Sequence, residues 1–408
     1  MTHDVRFLDP DELRAAHTLF AASIHREPAS DERWTRAATT YSPGRTLGVH
    51  DDGRLIGTAT SFPTRTAVVG GAALPTAAVT RVGVRADHTR RGVLTGMMRA
   101  LLDDVAERGE ALASLRASEA RIYGRFGYGL ATRGRTVSVR RYGGAGWRTG
   151  APRGGSVRML DRHEIVDVLA PLHEKLALRR TGGIMRPETW WWGPVQRRVD
   201  DREHLVAAVH TGPEGDDDAY FLAFPGPPSD PFTERTLRIE DLHAADGTAT
   251  AELWRFALDL DLVGAVEGWL RPLDEPLELL LADPRDCRVT GVEDETWLRL
   301  VDVPTALAAR SYRPAGPVLL AVHDPFLERN AGVYRIADGA AERVGPLGGP
   351  VAPELECDAA ALAMAYLGDR TPSQLAATGW WRVHDGAAVA RADAAFATPD
   401  TPWCGTYF

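Results

Sequence analysis

A short basic loop between an apolar strand and a helix with one apolar face is the stretch of this 408-residue chain that is best suited to bind an anion. The loop spans residues 88–92 and reads His-Thr-Arg-Arg-Gly, between a strand that ends at Val84 and a helix that starts at Val93. The free N–H groups and the dipole at the start of a helix attract negative charge. Arg90 and Arg91 place guanidinium groups beside them. The pattern therefore predicts a site for a phosphate ester.

A strand and a helix must hold this loop in place. Val79, Val82 and Val84 indicate the strand, and the apolar residues after Gly92 recur with a helical period. That period predicts one buried helix face, formed by Val93, Leu94, Met97, Met98, Leu101, Leu102 and Val105. The stretch is not a Walker loop, which needs Gly-Lys-Ser/Thr, and it lacks the Gly-x-Gly-x-x-Gly of a dinucleotide site. The plainer alternative is an amphipathic helix preceded by solvated arginines.

The strand, the Arg-Arg-Gly loop and the helix resemble the acetyl-CoA motif of the GNAT acetyltransferases, in which this loop cradles the CoA pyrophosphate. The chain departs from the usual pattern at two positions. Thr89 stands where the superfamily usually has Gln or Arg, and Leu94 stands where it usually has Gly or Ala. The resemblance implies that acetyl-CoA is the bound phosphate ester.

A tyrosine-containing motif follows about 30 residues after the loop, in the order in which GNAT domains present these two parts. Residues 118–129 read Ser-Glu-Ala-Arg-Ile-Tyr-Gly-Arg-Phe-Gly-Tyr-Gly, which resembles the GNAT pattern Tyr-x-Arg/Lys-x-Gly-Phe/Tyr. Acetyl transfer from a thioester expels a thiolate, and the phenol of Tyr123 could hydrogen-bond to that sulfur or protonate it. The alternative is a packed aromatic side chain with a satisfied hydroxyl. We expect that role for Phe126 and Tyr128.

The composition is that of a globular chain with several domains. The length allows two or three domains, and 44% hydrophobic with 25% charged residues is the balance of a soluble protein. The net charge of −9 argues against nucleic acid as a partner and favours attraction of cationic small molecules. No apolar run reaches the roughly 20 residues of a membrane span, and the N-terminus lacks the pattern of a signal peptide. We therefore expect a cytoplasmic protein that does not bind membranes.

The cysteines give no sign of a metal site or a disulfide framework. Cys287, Cys357 and Cys404 are far apart, odd in number and without the spacing of metal ligands. We expect structural or incidental thiols in a reducing cytosol, and no metal.

The order of predicted elements divides the chain into three domains. The strands and helices up to residue 145 fit an α/β acyltransferase domain, and a Gly- and Pro-rich stretch at 143–156 predicts a linker. Residues 146–295 repeat the same order of elements. From residue 296 to residue 408 the pattern changes to that of an α+β domain.

The second copy has lost the anion-binding loop. Between the strand near Leu242 and the next helix, which is predicted to begin at Thr250, the chain reads His-Ala-Ala-Asp-Gly-Thr and has no Arg-Arg-Gly. The carboxylate of Asp246 would repel a pyrophosphate, so we expect a degenerate domain that does not hold CoA. This copy also carries three consecutive tryptophans at 190–192, for which packing in a core or an interface is expected and a stacking wall for substrate is the alternative.

The tandem GNAT-like halves, the Ile-Tyr-Gly-Arg-Phe-Gly-Tyr-Gly string and the C-terminal phenylalanine are together similar to the Eis (enhanced intracellular survival) acetyltransferases, over essentially the whole chain. The resemblance implies an α/β and α+β fold. Tandem GNAT domains at 1–145 and 146–295, the second degenerate, would be followed by a sterol-carrier-protein-like domain at 296–408. The resemblance also implies a homo-hexamer.

The same resemblance assigns roles to particular residues. It implies that Tyr123 is the general acid and that the carboxylate of the terminal residue, Phe408, is the general base. It implies that the N–H of Val84 polarises the thioester carbonyl. The residues that would hold CoA are Val82, Gly83, Val84, Arg90, Arg91, Gly92, Val93, Leu94, Thr95, Ser118 and Glu119.

A terminal carboxylate can serve as the base for simple physical reasons. An amine nucleophile is mostly ammonium at neutral pH and has to lose a proton before it attacks. A carboxylate becomes a stronger base when burial raises its pKa. The alternative is a frayed tail, but Pro402, Trp403, Tyr407 and Phe408 are residues that tend to dock.

The sequence therefore predicts an acetyl-CoA-dependent N-acetyltransferase that acts by direct transfer in a ternary complex on polycationic small molecules such as aminoglycosides. Two alternatives stay open. One is acetylation of lysines on peptides or proteins. The other is a non-catalytic protein that binds lipid in its third domain and keeps CoA as a structural ligand, although the Arg-Arg-Gly loop, Tyr123 and the terminal carboxylate count against it.

Overall fold

The computed structural model describes residues 4–141, 146–201, 204–226 and 235–408. The chain forms two compact units. The first contains the residues up to 131, residues 296–399 and Phe408, and the second contains residues 132–295 and 400–407. The predicted domain boundary at 145 and the start of the predicted linker at 143 lie outside the described residues and stay predictions.

The first unit begins with an α/β half. Its elements are β1 (Asp4–Phe7), α1 (Leu13–Ser23), α2 (Asp31–Ala38), β2 (Thr46–Asp51), β3 (Arg54–Ala67), β4 (Ala73–Val84), α3 (Val93–Glu107), β5 (Leu112–Leu115) and α4 (Ala120–Tyr123). The strands pair in the order β1-β2-β3-β4-β5, and β4 and β5 are parallel. Asp52 and Gly53 turn β2 into β3 as predicted, with the positive φ values, 48° and 73°, that a type I′ hairpin turn requires.

Helix α3 connects the parallel strands β4 and β5 and packs its apolar face on the sheet. The predicted helical period is confirmed for six of the seven residues of the predicted face, which are buried, whereas Leu94 is only partly buried. The six buried residues are Val93, Met97, Met98, Leu101, Leu102 and Val105. Burial of each large apolar side chain contributes about 1.5–3 kcal/mol. This face therefore fixes the helix on the sheet and holds its start close to the end of β4.

The second unit repeats this plan. Its elements are β6 (Gly129–Arg140), β7 (Ser156–Met159), α5 (Ile165–Ala177), α6 (Glu188–Trp190), α7 (Gln196–Asp200), β8 (Val206–Thr211), β9 (Asp217–Pro225), β10 (Arg235–Ala244), α8 (Gly247–Asp259), β11 (Val263–Pro272), α9 (Leu277–Leu280) and β12 (Cys287–Leu300). The first residues of β6, 129–131, and the last residues of β12, 296–300, belong to the first unit. The strands pair in the order β6-β11-β10-β9-β8-β7, and α8 joins the parallel strands β10 and β11 as α3 joins β4 and β5. Helix α8 begins at Gly247 and not at the predicted Thr250, because the side chain of Asp246 caps it.

The remaining part of the first unit is an α+β region, as predicted. Its elements are α10 (Val303–Ala309), β13 (Val318–His323), β14 (Gly332–Ala337), β15 (Ala340–Gly345), β16 (Leu355–Asp358), α11 (Ala359–Tyr366), α12 (Pro372–Ala377), β17 (Trp381–Val383) and α13 (Gly386–Phe396). The five strands pair in the order β15-β14-β13-β16-β17. Across the described residues, no helix combines the length and the apolarity that crossing a membrane needs.

A buried ion pair in the first unit ties β12 to the loop after β13. Arg299 and Asp324 are 0% and 3% exposed, and Nη2 of Arg299 donates to both carboxylate oxygens, at 2.8 and 2.6 Å. Asp324 also accepts from the side-chain amide of Asn330 and from the N–H of Leu327, both at 2.9 Å. Removal of one partner from such a pair is strongly destabilising, because it leaves an uncompensated charge in the core.

We expect Asp324→Ala to lower the free energy of unfolding by about 3–5 kcal/mol, because it leaves the Arg299 guanidinium buried without its counter-charge. Glu32→Ala is the control, since it removes an exposed ion pair with Arg36, at 3.0 Å, which is worth at most about 1 kcal/mol. Urea unfolding followed by tryptophan fluorescence measures both variants. A loss below about 1 kcal/mol for Asp324→Ala would contradict this role of the pair.

Candidate active site

The parallel strands β4 and β5 separate at their C-terminal ends. They pair as far as Val79 and Leu115, and β4 then continues to Val84 with β3 as its strand partner among the described residues. Arg81 has a φ of 51° and lies where the register between β3 and β4 shifts. We call the opening between residues 80–84 of β4 and the end of β5 the first strand gap. The predicted CoA contacts on β4, which are Val82, Gly83 and Val84, border this gap.

Helix α1 packs closely on β4 at Gly83. A Cβ atom on this residue would lie 2.6 Å from Oγ of Ser23 and 3.2 Å from Cα of Phe20. Glycine is therefore required for α1 to lie this near to the gap. Sequence reasoning considered Gly83 only as a CoA contact and missed this packing, although a glycine between two valines of a strand is a signal of close approach.

The start of α3 has no capping side chain in the described part of the chain. Gly92, the N-cap residue, has a φ of 82°, and Arg90 has a φ of 62°. The amides of the first helical turn, residues 93–95, therefore have no partner within the helix. Arg90, Arg91 and Gly92 are exposed, and among the described residues Arg90 has no ion-pair or hydrogen-bond partner. Free amides beside exposed guanidinium groups form a site that fits a phosphate group.

The corresponding helix of the second unit is closed to an anion. Asp246 is the N-cap of α8, and its Oδ1 accepts from the N–H of Thr248 at 2.8 Å and from the N–H of Ala249 at 2.9 Å. The carboxylate thus accepts from amides of the first helical turn, which in α3 have no capping side chain. It also places a negative charge at the start of the helix, where it would repel an anion. This contact supports the prediction that the second copy is degenerate and does not hold CoA.

Tyr123 ends α4 with its phenol almost buried. The residue is 8% exposed, and its ring meets the Tyr128 ring edge to face, with the centres 6.0 Å apart. Burial, and to a smaller extent the charge of Glu119, raises the pKa of the Tyr123 phenol to about 12. The phenol therefore carries its proton at neutral pH, as a proton donor must. Phe126 and Tyr128 are fully buried core residues, as expected. The expected hydrogen bond of the Tyr128 hydroxyl is not found among the described residues.

Hydrophobic packing places four of the predicted CoA-binding residues in the same cluster as Tyr123. These four are Val82, Val84, Val93 and Leu94. Ser118 and Glu119 are exposed in the turn between β5 and α4. Because β5 ends at the first strand gap, this turn begins beside the gap as well.

The terminal residue lies against the sheet of the same unit. The ring of Phe408 meets that of Phe62, on β3, edge to face with the centres 5.6 Å apart. Phe62 is paired with Ala78 of β4, so the terminus is docked rather than frayed. Sequence reasoning missed Phe62, because nothing in an alternating strand marks the residue that a distant terminus will contact.

The cysteines are poorly placed for nucleophilic chemistry. All three are buried thiols that are not joined in disulfides. Burial raises the pKa of the Cys287 thiol to about 12 and that of the Cys357 thiol well above its ordinary value. Within the residues that the structure describes, no three His, Cys, Asp or Glu side chains are grouped so as to hold a metal ion.

Family comparisons match all three parts of the chain. Residues 4–131 and residues 182–300 each match a family described as an acetyltransferase (GNAT) domain. Residues 303–405 match a family described as a sterol carrier protein domain. The predicted fold, with two GNAT domains followed by a sterol-carrier-protein-like domain, is therefore confirmed.

Individual proteins resemble the chain over most of its length. The N-acetyltransferase Eis of Mycobacterium bovis is 34% identical over 87% of this chain and 86% of its own. An uncharacterized N-acetyltransferase of Streptomyces avermitilis is 34% identical over 98% of this chain and 96% of its own. Among solved structures, Eis1 from Mycobacterium abscessus is 38% identical with a TM-score of 0.89, and the match covers 100% of both chains.

We expect Gly92→Ala to weaken acetyl-CoA binding about tenfold or more. No atom of the described residues outside the loop itself lies within 4 Å of the added Cβ, so the substitution causes no clash there. The φ of 82° disfavours an L side chain by about 1–2 kcal/mol, however, and relaxation of the loop would move the amides away from the phosphates. Isothermal titration with acetyl-CoA gives the Kd.

Gly109→Ala is the matched control, at the other end of α3. Gly109 has a φ of 73°, and in the part of the chain that the structure describes nothing is found within 4 Å of an added Cβ there either. The two variants should lose similar stability, and only Gly92→Ala should change the Kd. Equal changes in Kd would contradict the assignment of this loop to CoA.

Proposed function

Because the chain belongs to the Eis family of GNAT N-acetyltransferases, we propose that it transfers the acetyl group of acetyl-CoA directly to amines of polycationic small molecules such as aminoglycosides. Family membership makes the chain an N-acetyltransferase that uses acetyl-CoA. One observation supports the proposed transfer in the first domain. The start of α3 has no capping side chain and lies beside the first strand gap, and the protonated Tyr123 belongs to the same hydrophobic cluster as the first residues of α3.

Main-chain groups would provide most of the contacts to acetyl-CoA. The diphosphate would accept from the amides of residues 92–95, and Arg90 and Arg91 would add charge-assisted bonds. The amide groups of the pantetheine arm would pair with residues 82–84 as an added strand does. Ser118 and Glu119 would border the bound molecule from the end of β5.

Three groups of the chain would act on the thioester. The N–H of Val84 would stabilise the charge that develops on the carbonyl oxygen when the amine attacks. The C–N bond forms as the amine loses a proton to the Phe408 carboxylate, directly or through water. The C–S bond then breaks, and Tyr123 donates a hydrogen bond and then its proton to the departing sulfur.

Direct transfer in a ternary complex is favoured over a covalent acetyl-enzyme. A covalent route needs an activated nucleophile, most often a thiolate. Cys287 and Cys357 are buried thiols with raised pKa values, and Cys404 is 0% exposed. These thiols are therefore unsuited to accept an acetyl group in the first domain.

The charge of the chain supports a cationic acceptor. The net charge is −9, from 56 acidic and 47 basic residues, and an acidic protein attracts polycations over long range. Glu119 is exposed close to Tyr123 and raises its pKa, so one carboxylate lies near the proposed proton donor. An acceptor with several protonated amines would be attracted more strongly, because each ammonium group interacts favourably with such carboxylates.

The proposal includes the homo-hexamer implied by the family resemblance. The hexameric state is supported by that resemblance alone. Light scattering after size-exclusion chromatography would give about six times the chain mass.

We expect Tyr123→Phe to lower kcat about 10²–10⁴-fold, because it removes the proton donor at the sulfur. The KM for acetyl-CoA should stay within about twofold, since the ring and its packing are retained. Steady-state release of the CoA thiol measures both constants.

Tyr128→Phe provides the control for a buried tyrosine in contact with Tyr123. Its hydroxyl is buried and has no hydrogen-bond partner among the described residues, so its removal should leave kcat unchanged. If both variants lost the same activity, the loss would reflect packing and the acid role of Tyr123 would be wrong.

Acetylation rates for a panel of acceptors distinguish an enzyme that acts on small polycations from one that acts on lysines of peptides or proteins. We expect kcat/KM for aminoglycosides to exceed that for lysine peptides by at least about tenfold at low salt, because electrostatic attraction grows with the charge of the acceptor. The advantage should shrink as salt screens the charges. Higher values for the peptides at every salt concentration would favour lysine acetylation instead.

A further inference from the structure

The parallel strands of the second unit also separate at their ends. Strands β10 and β11 pair as far as Ile239 and Gly268, and the register of β10 against β9 shifts between Ile239 and Asp241. This is the arrangement that forms the first strand gap. We call the opening between residues 240–244 of β10 and residues 269–272 of β11 the second strand gap.

A tryptophan of the C-terminal tail, residues 400–407, lies in this second gap. The indole N–H of Trp403 donates to the carbonyl of Leu270 on β11 at 2.7 Å, and its ring centre lies 4.8 Å from that of His243 on β10. The guanidinium of Arg271, on β11, lies 5.0 Å from the Trp403 ring centre and donates to a main-chain carbonyl of β10 at 2.7 Å. The two side chains therefore bridge the separated strands.

Hydrogen bonds hold the tail on both of its sides. Glu295 is 1% exposed and accepts from the N–H groups of Cys404 and Gly405, at 2.9 and 2.7 Å. Arg186 donates to the carbonyl of Gly405 at 3.0 Å and to the hydroxyl of Thr406 at 3.1 Å. Charged partners make such hydrogen bonds strong, so the path of the tail in the second unit is fixed.

Trp190 forms a hydrogen bond with Tyr407, the residue that precedes the C-terminal Phe408. Arg186, paired with the buried Asp241 at 2.5 Å, lies 4.0 Å from the Trp190 ring centre and so holds the ring in place. The indole N–H of Trp190 donates to the carbonyl of Tyr407 at 2.8 Å. Because one peptide bond joins Tyr407 to Phe408, this contact limits where the terminal carboxylate can lie.

We propose that the second domain has become a clamp for the chain's own C-terminus, with Trp403 in the gap that the GNAT fold offers to an acyl donor. Trp190 and Arg186 hold the residues that follow and so position the carboxylate of Phe408. The positioning role rests on the function proposed above for that carboxylate. Trp190 is accordingly a positioning residue, which acts on the reaction through Phe408.

Trp190→Phe tests the clamp with a small change, because phenylalanine keeps an aromatic ring beside Arg186 and removes the indole N–H. Trp192→Phe is the matched control, since Trp192 is 48% exposed. A carboxypeptidase that releases C-terminal aromatic residues measures how firmly Phe408 is held. We expect release to be at least about tenfold faster from Trp190→Phe and unchanged in Trp192→Phe. Equal rates in the two variants and the parent chain would overturn the clamp.

A double-mutant cycle with a chain that lacks Phe408 tests the positioning role. We expect Trp190→Phe to lower kcat about tenfold in the full chain, with the KM for acetyl-CoA unchanged, and to have no further effect when Phe408 is absent. Losses that multiply would overturn the positioning role, because Trp190 would then act without the carboxylate. If deletion of Phe408 alone left kcat unchanged, the proposed role of its carboxylate as the base would be wrong. The carboxypeptidase rates would still show whether the second domain holds the tail.

Discussion

Main-chain N–H and C=O groups inside a protein need hydrogen-bond partners. In each GNAT-like sheet of this chain, two parallel strands separate at their ends, so the main-chain groups beyond that point no longer pair with the neighbouring parallel strand. The two copies meet this requirement differently. In the first copy, β4 continues beyond its pairing with β5, and the start of α3 has no capping side chain among the described residues; we propose that acetyl-CoA binds these main-chain groups. In the second copy, Trp403 and Arg271 bridge the strands, and Asp246 caps the helix. In the proposed account, one fold thus provides a site for acetyl-CoA in the first copy and a site for the chain's own tail in the second.

The other parts of the chain support the proposed acid and base separately. Phe326, from the α+β region, packs edge to face on Phe126, with the ring centres 5.2 Å apart. A Cβ on Gly127 would lie 2.5 Å from Nη1 of Arg299, so the turn after Tyr123 rests on the buried Arg299 ion pair. The α+β region therefore supports the proton donor in the first unit. The second domain holds the tail that leads to the proton acceptor.

Local patterns in the sequence predicted local structure well. The buried face of α3 and the turn at Asp52 follow from periodicity and turn chemistry, which neighbouring residues determine. The division into three domains followed from the order of the predicted strands and helices, and resemblance to known acetyltransferases indicated what each domain is. Contacts between residues distant in the chain were not predictable. Phe62 contacts the terminus, and Trp190, which was expected to pack in a core or an interface or to stack on substrate, donates its indole N–H to Tyr407. A side chain's type does not reveal such a partner, because the same residue would suit any core.

A crystal structure of the protein with bound CoA tests the different use of the two strand gaps most directly. We expect one CoA per chain, with its diphosphate against the amides of residues 92–95 and with Trp403 still between β10 and β11. A diphosphate bound elsewhere, or a CoA molecule that displaces Trp403 from the second strand gap, would contradict the proposed division between a substrate site and a tail clamp.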